Sequence, residues 1–285
     1  MTQLITTKRG EFNVRMYNDS TLPPLILLHG WPQTSYCWHH TAPFLRDFYV
    51  IAPDLRGMGD SNRSLDIKQY AKDEMSEDIF AVADAMGIDS FYLGGHDWGG
   101  AIVQEMTLLK PERIKKLIVI NMVIINNPIG QQKAHDVLVK YLFRSSWYQF
   151  FMSIQGMPET LIAGKEDYWI RFFSRGISNP VPEDAIAEYT RCYKIPNSIT
   201  TASNIYRMIP KDRERWKANY EGKVVDVPTL MIHGILDPVI IKEYILGSEE
   251  FYSNLTVERL KGGHFIVDEQ PEAVAGLMSN FLKER

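Results

Sequence analysis

Much of the chain's chemistry is concentrated in Leu93-Gly94-Gly95-His96-Asp97-Trp98-Gly99-Gly100, a segment that follows an apolar run and opens a helical one. Small residues two before and two after the central position permit the strained strand-turn-helix that exposes a nucleophile, as in G-x-S-x-G. Here the apex is an aspartate. A hydroxyl that displaced a leaving group from a saturated carbon would end as an ether, which a histidine and water do not readily hydrolyse; a carboxylate ends as an ester. Asp97 therefore points to attack on an electrophilic alkyl carbon, as in an epoxide or haloalkane, and away from ordinary ester cleavage. The plainer alternative is an aspartate capping the next helix. The flanking glycines, and the acid and histidine downstream, disfavour it.

Hydrolysis of such an ester needs a base and a group to orient it. Gly262-Gly263-His264-Phe265 lies between a strand-like run and the last helix, where a loop can present a histidine, and His264 is the candidate among seven histidines. Asp237, in Gly234-Ile235-Leu236-Asp237-Pro238, is the candidate acid, and the order Asp97, Asp237, His264 reproduces nucleophile, acid, histidine. A turn-forming Asp-Pro is the competing reading of Asp237. The alternative place for an acid, after the run Leu117 to Ile120, holds Asn121 and Met122. His29-Gly30-Trp31-Pro32 follows another strand-like run, and the backbone N–H of Trp31, with that of Trp98, suits an oxyanion formed when water attacks the Asp97 ester. His29 and the stretch Asp54 to Ser61 read as loop-fixing.

Elements that position these groups follow from periodicity. Leu25 to Leu28, Phe48 to Ala52, Ser90 to Leu93, Leu117 to Ile120, Thr229 to His233 and Leu255 to Leu260 read as strands. Met75 to Met86, Ala101 to Leu109 and Glu272 to Leu282 read as helices. This βα alternation predicts an α/β fold with a mostly parallel, doubly wound sheet. It stops near Asn126 and resumes near residue 223; between them the spacing is helical, with breaks at Asn179-Pro180 and Ile195-Pro196-Asn197. The expected division is a core over 1–125, a helical lid over 126–222 and the rest of the core over 223–285.

At 285 residues and 45% hydrophobic content the chain can bury a large interior, and a formal charge of −4 gives no reason to expect nucleic acid or an anionic membrane as partner. Met1 to Val14 is mixed and polar and lacks the apolar run of a signal peptide. The longest aliphatic stretch, Leu117 to Ile125, interrupted by Asn121, is too short for a membrane helix and reads as a buried strand. Cys37 and Cys192 show no metal-like or disulfide spacing, so a reducing cytoplasm is the simpler expectation. The oligomeric state is open, a homodimer included.

Together these motifs resemble the epoxide hydrolase branch of the α/β-hydrolase superfamily, which is related to the haloalkane and haloacetate dehalogenases. The resemblance runs over nearly the whole chain and implies the α/β-hydrolase fold, with the helical segment as its lid. In that branch two lid tyrosines donate hydrogen bonds to the epoxide oxygen. Tyr148-Gln149, before Met157-Pro158-Glu159, and Tyr206-Arg207 match those segments. A strained ether oxygen leaves poorly until it is protonated or strongly hydrogen-bonded, and phenols are suitable donors near neutral pH. Without the resemblance, both would read simply as two of 14 tyrosines packing a lid.

Haloacetate dehalogenases carry carboxylate-binding arginines after the nucleophile, where this chain has Trp98 and Ala101. Their halide-binding histidine is missing near Trp147-Tyr148. Haloalkane dehalogenases are the closer rival, because the indole N–H of Trp98 suits a leaving halide; their first-loop asparagine is here Trp31, so a second donor would fall to Trp147 or Trp169. The resemblance thus implies a small lipophilic epoxide and water as reactants, with neither cofactor nor metal. Trp147, Phe150, Phe151 and Met152 suit either such a substrate or the core of the lid. From a different class, a non-catalytic ligand receptor on the same fold remains the rival.

Overall fold

The structure, a computed structural model, describes residues 1–141 and 143–284. Eight strands form one sheet: β1 (Thr2–Thr7), β2 (Gly10–Tyr17), β3 (Pro24–Leu28), β4 (Tyr49–Pro53), β5 (Phe91–His96), β6 (Ile114–Ile120), β7 (Thr229–Gly234) and β8 (Leu255–Leu260), in the order β1-β2-β4-β3-β5-β6-β7-β8. From β4 to β8 every pairing is parallel, while β2 runs antiparallel to both β1 and β4. Central strands are apolar on both faces: all of β7 and the last four residues of β3 are buried, as a sheet covered by helices requires.

Strands β1 and β2 correct the sequence reading, which gave residues 1–17 no strand. β1 is an edge strand, Thr-Gln-Leu-Ile-Thr-Thr, with most side chains exposed and its two apolar residues adjacent, so no apolar alternation marks it. β2 does carry one, in buried Phe12, Val14 and Met16. The aliphatic run from Leu117 is also shorter as a strand than expected. β6 ends at Ile120 because Asn121 turns out of it with φ +44°, and Ile124 and Ile125 are buried beyond the sheet.

Helices α1 (Lys72–Ala85) and α2 (Trp98–Leu109) pack beside the sheet. Seven more lie between β6 and β7 among the described residues: α3 (Pro128–Lys140), α4 (Trp147–Ser153), α5 (Met157–Ile162), α6 (Glu166–Phe173), α7 (Glu183–Tyr193), α8 (Ser198–Arg207) and α9 (Ile209–Asn219). The chain closes with α10 (Ile266–Glu269) and α11 (Pro271–Lys283). No helix among the described residues is long and apolar enough to cross a membrane.

The strand order sets the site. β3 lies between β4 and β5, so the chain reverses its direction of growth there, and the loops leaving β3 and β5 emerge side by side at the carboxyl ends of the strands. Leu28 pairs with Gly95, which sets Trp31 beside Asp97. The loops leaving β7 and β8 carry Asp237 and His264 to the same edge of the sheet.

A buried cation ties α1 to the inserted helices. Lys72 is fully buried; its Nζ donates to Asp212 Oδ2 (2.8 Å) on α9 and to the carbonyl of Ile205 (3.0 Å) on α8, and lies 4.6 Å over the Trp98 ring. Burial lowers its pKa and the Asp212 charge opposes that shift. A buried pair of this kind adds little net stability when intact, but losing one partner strands the other. Lys72→Met is expected to reduce the unfolding free energy measured in urea by about 3 kcal/mol. Asp212→Asn added to it should recover part of that loss, because the stranded charge disappears.

Candidate active site

Asp97 stands at the junction of β5 and α2 with φ +50° and ψ −126°, a conformation that costs a non-glycine residue of the order of 1–3 kcal/mol. The close approach of its neighbours explains the glycines. A Cβ on Gly95 would lie 2.4 Å from the carbonyl oxygen of Gly99, and one on Gly30 would lie 2.3 Å from Asp97 Cβ. With glycine there, the β3 loop comes close enough for the Trp31 N–H to reach Asp97.

The two carboxylate oxygens of Asp97 have different surroundings. Oδ1 accepts from the Trp31 backbone N–H at 2.8 Å, and Oδ2 lies 3.3 Å from His264 Nε2. Burial works against the charge, but His264, His96 and the Trp98 backbone N–H together hold the carboxyl below its usual pKa. His264 Nδ1 meets Asp237 Oδ2 at 2.7 Å. Asp237 Oδ1 accepts from the N–H groups of Val239 (2.7 Å) and Ile240 (3.0 Å), so one carboxylate both shapes its turn and faces the imidazole. Burial opposes charge on His264, yet Asp237 and then Asp97 outweigh it and raise the imidazole to about 10. At neutral pH it is an imidazolium between two carboxylates.

Across from Asp97 stand Tyr148 on α4 and Tyr206 on α8, both buried. Trp31 stacks on Tyr148 at 5.4 Å, Tyr206 meets Trp98 edge-on at 5.6 Å, and the two phenol rings are 5.9 Å apart. Burial, reinforced by the Asp97 charge, raises both phenols, so they remain protonated donors. The indole N–H of Trp31 is committed to Tyr193 Oη at 3.0 Å. A cavity of about 230 Å³, lined in part by Trp31, Trp147, Tyr148, Phe173, Val239 and His264, leads to this centre. Of the four apolar residues singled out in the insert, Trp147 lines the cavity, Met152 is core, and Phe150 is 62% exposed.

All seven residues named from the sequence, Asp97, Asp237, His264, Tyr148, Tyr206, Trp31 and Trp98, thus converge. Others went unassigned. Asn121 Oδ1 accepts from the Gly234 N–H (2.7 Å) and its Nδ2 donates to the carbonyls of Gly263 and His264 (2.9 Å each), which fastens the His264 loop to β7. Its signal was its place at the end of β6, where the sequence offered no acid. His96 is fully buried under the His264 carbonyl and leads through Gln33 to Asp268, a group with no local sequence signal. His29 spans its loops, its Nδ1 2.9 Å from the Gly30 carbonyl and its Nε2 accepting from the Leu55 N–H at 3.0 Å. Asp54 accepts from Asn13, Ser35 and Asp60, fixing the 54–61 loop. The one cluster of possible metal ligands among the described residues, Asp60, Glu188 and Cys192, has both carboxylates bonded to Arg191.

A parallel sheet with an aspartate at the turn after β5 and an acid and a histidine after β7 and β8 defines an α/β hydrolase. Residues 23–271 match the family described as alpha/beta hydrolase fold, and the chain belongs to that family. It is similar to epoxide hydrolase 4 of Mus musculus, 30% identical over 275 residues that cover 92% of this chain and 73% of the relative. It is also similar to a fluoroacetate dehalogenase of Burkholderia sp, at 25% identity over 96% and 92% of the two chains. Among solved structures, an α/β hydrolase from Nostoc sp PCC 7120 superposes with a TM-score of 0.85 at 28% identity, covering 100% of this chain and 98% of the other. The protein is a hydrolase of this family, and it resembles both relatives named epoxide hydrolase and a dehalogenase.

Proposed function

We propose that the protein opens a small lipophilic epoxide to a vicinal diol through a covalent ester on Asp97. The observation that carries this reading is the asymmetry of the Asp97 carboxylate, with Oδ1 against the Trp31 N–H and Oδ2 beside His264 Nε2, across the site from two protonated phenols. Oδ2 attacks a ring carbon from the side opposite the epoxide oxygen, the C–O bond breaks, and Tyr148 or Tyr206 gives the alkoxide its proton. The phenolate recovers a proton that originates on His264. Esterification has removed the Asp97 charge, and with only Asp237 left beside it the imidazolium becomes a weaker hold on that proton.

Neutral His264 then takes a proton from water as the water attacks Asp97 Cγ. The developing charge falls on Oδ1, which already accepts from the Trp31 N–H, and the Trp98 N–H, which also acts on this carboxyl, is the second donor. Collapse breaks the Cγ–Oδ2 bond, the imidazolium gives its proton to the departing diol oxygen, and the acid proton left on Asp97 then passes to His264, restoring the ion pair. Two free cysteines, both buried, fit a reducing cytoplasm as the setting.

A dehalogenase would use the same carboxylate but needs indole donors for a halide. Those indoles would be Trp98 with Trp147 or Trp169, since Trp31 Nε1 is spent on Tyr193; what favours the epoxide is the pair of protonated phenols, Tyr148 and Tyr206, across from Asp97. The test is a single turnover in ¹⁸O-water with excess enzyme and styrene oxide, with a chloroalkane control. We expect unlabelled diol, one ¹⁸O in the peptide that contains Asp97, and no halide. Halide without diol would move the activity to dehalogenation, and ligand binding without either product would favour a receptor.

A further inference from the structure

The group beneath His264 has a hydrogen-bond count that does not close with ordinary protonation states. His96 Nδ1 lies 2.9 Å from Gln33 Oε1, and His96 Nε2 lies 2.7 Å from the carbonyl oxygen of His264. Both partners are acceptors, and a neutral imidazole has one N–H. At its other end Gln33 Nε2 lies 2.7 Å from Asp268 Oδ2, which also accepts from Tyr189 Oη (2.9 Å), while Asp268 Oδ1 is buried with no partner. All four side chains are buried.

Two arrangements satisfy the chain. In one, His96 is an imidazolium and Asp268 a carboxylate. In the other, the Gln33 amide is turned over: Asp268 is a neutral acid donating to Gln33 Oε1, Gln33 Nε2 donates to His96 Nδ1, and the single His96 N–H at Nε2 donates to the His264 carbonyl. Both hold the same number of protons. Remove one and an acceptor faces an acceptor somewhere along the chain, whichever way Gln33 points. A buried mismatch of that kind is relieved by movement, and the movable end is the loop that carries His264.

We infer that Asp268 and His96 share one buried proton through Gln33, and that this proton positions His264 by keeping a second donor, beside Asn121 Nδ2, on its backbone carbonyl. The neutral-acid arrangement is the resting one, because burial raises Asp268 to about 7 against the Gln33 and Tyr189 hydrogen bonds, while burial and the His264 charge lower His96 to about 4. Other groups facing Asp268 do not supply a compensating cation: Cys37 is a buried thiol, and Asp184 and Glu269 disfavour a second negative charge. His96 is faced by the rings of His264 and Phe265 and by the charges of Asp97 and Asp237. Gln33, His96 and Asp268 are positioning residues. None of them touches the reacting atoms in the mechanism above.

Nitrogen NMR of the full chain labelled in histidine tests this without any substrate, so its outcome is separate from the epoxide reading. His96 is assigned by the signals lost in His96→Asn. We expect His96 in acid to show a protonated Nε2 and an unprotonated Nδ1, and its resonances to move with a midpoint of about 7 as Asp268 ionises. Asp268→Asn, a permanently neutral donor, should hold the acid pattern at every pH. In single turnover, the rate of ester breakdown in the wild type should fall about tenfold from roughly pH 6 to roughly pH 9 and stay level in Asp268→Asn. A His96 that keeps its proton on Nδ1 without titrating overturns the proposal, and the wild-type spectrum alone decides that if the variant fails to fold. A wild-type transition that persists in folded Asp268→Asn overturns it as well.

Discussion

His264→Gln is expected to convert the enzyme into a trap for its own intermediate. Mixed with an epoxide, the variant should gain the mass of one substrate molecule on the peptide that contains Asp97, with one equivalent consumed and little diol released. The two half-reactions ask different things of the site. Formation of the ester needs Asp97 Oδ2 and the phenols, and it continues in the variant, slowed by loss of the imidazolium as a proton source. Breakdown needs a base within reach of water beside Cγ, and the 3.3 Å separation of His264 Nε2 from Oδ2 makes His264 that base. Removing it should slow breakdown by about 10³- to 10⁴-fold. Intact-protein mass spectrometry checks the result. Unmodified protein in which diol formation has merely weakened would mean that no ester forms on Asp97.

The charge arrangement explains why one imidazole can serve both halves. In the free enzyme His264 lies between two carboxylates and is raised to about 10, which makes it a poor base and a good counter-ion for a nucleophile. Esterification deletes one of those carboxylates. In the proposed mechanism the group becomes a base only once the ester has formed, when a base is first required, so water is not activated against free Asp97. Asn121 and His96 bear on this by fixing the His264 backbone, while Asp237 fixes the ring.

The core strands, the Asp97 turn and the loops after β7 and β8 were legible because each is a local pattern: an apolar run, a glycine pair, a turn. β1 was not, since an exposed edge strand has no apolar face to record. Tyr148 and Tyr206 were named only through family resemblance; their helices are short and nothing in their spacing separates a donor phenol from one that packs. Gln33, His96 and Asp268 illustrate the limit differently. Gln33 is 63 positions from His96 and 235 from Asp268, and only the closed sheet brings them together. Asn121 was visible in place but not in meaning, because its value lies in two carbonyls of a loop that arrives from β8.

Removing both phenols should abolish ester formation while leaving ester breakdown intact. Tyr148 and Tyr206 come from helices far apart in sequence, and Glu159 helps to hold them together: its carboxylate accepts from Arg207 Nη2 at 2.8 Å, joining the segment after Tyr148 to the residue after Tyr206. The two rings lie 5.9 Å apart, and in the proposed mechanism both phenols serve one oxygen. Tyr148→Phe or Tyr206→Phe leaves one donor, and each should slow ester formation by roughly 10- to 100-fold. In the double variant the alkoxide would have to leave without a proton, and the loss should reach at least about 10⁴-fold. Stopped-flow measurement of the quenching of site tryptophans during ester formation distinguishes the steps. Breakdown places no proton demand on either tyrosine, because its oxyanion is held by the backbone N–H groups of Trp31 and Trp98, so in each single variant the rate of ester breakdown, measured once the ester has formed, should match that of the wild type. A double variant that still formed ester at a rate close to that of the wild type would remove the tyrosines from the mechanism and return the leaving-group role to the indoles, as a dehalogenase requires.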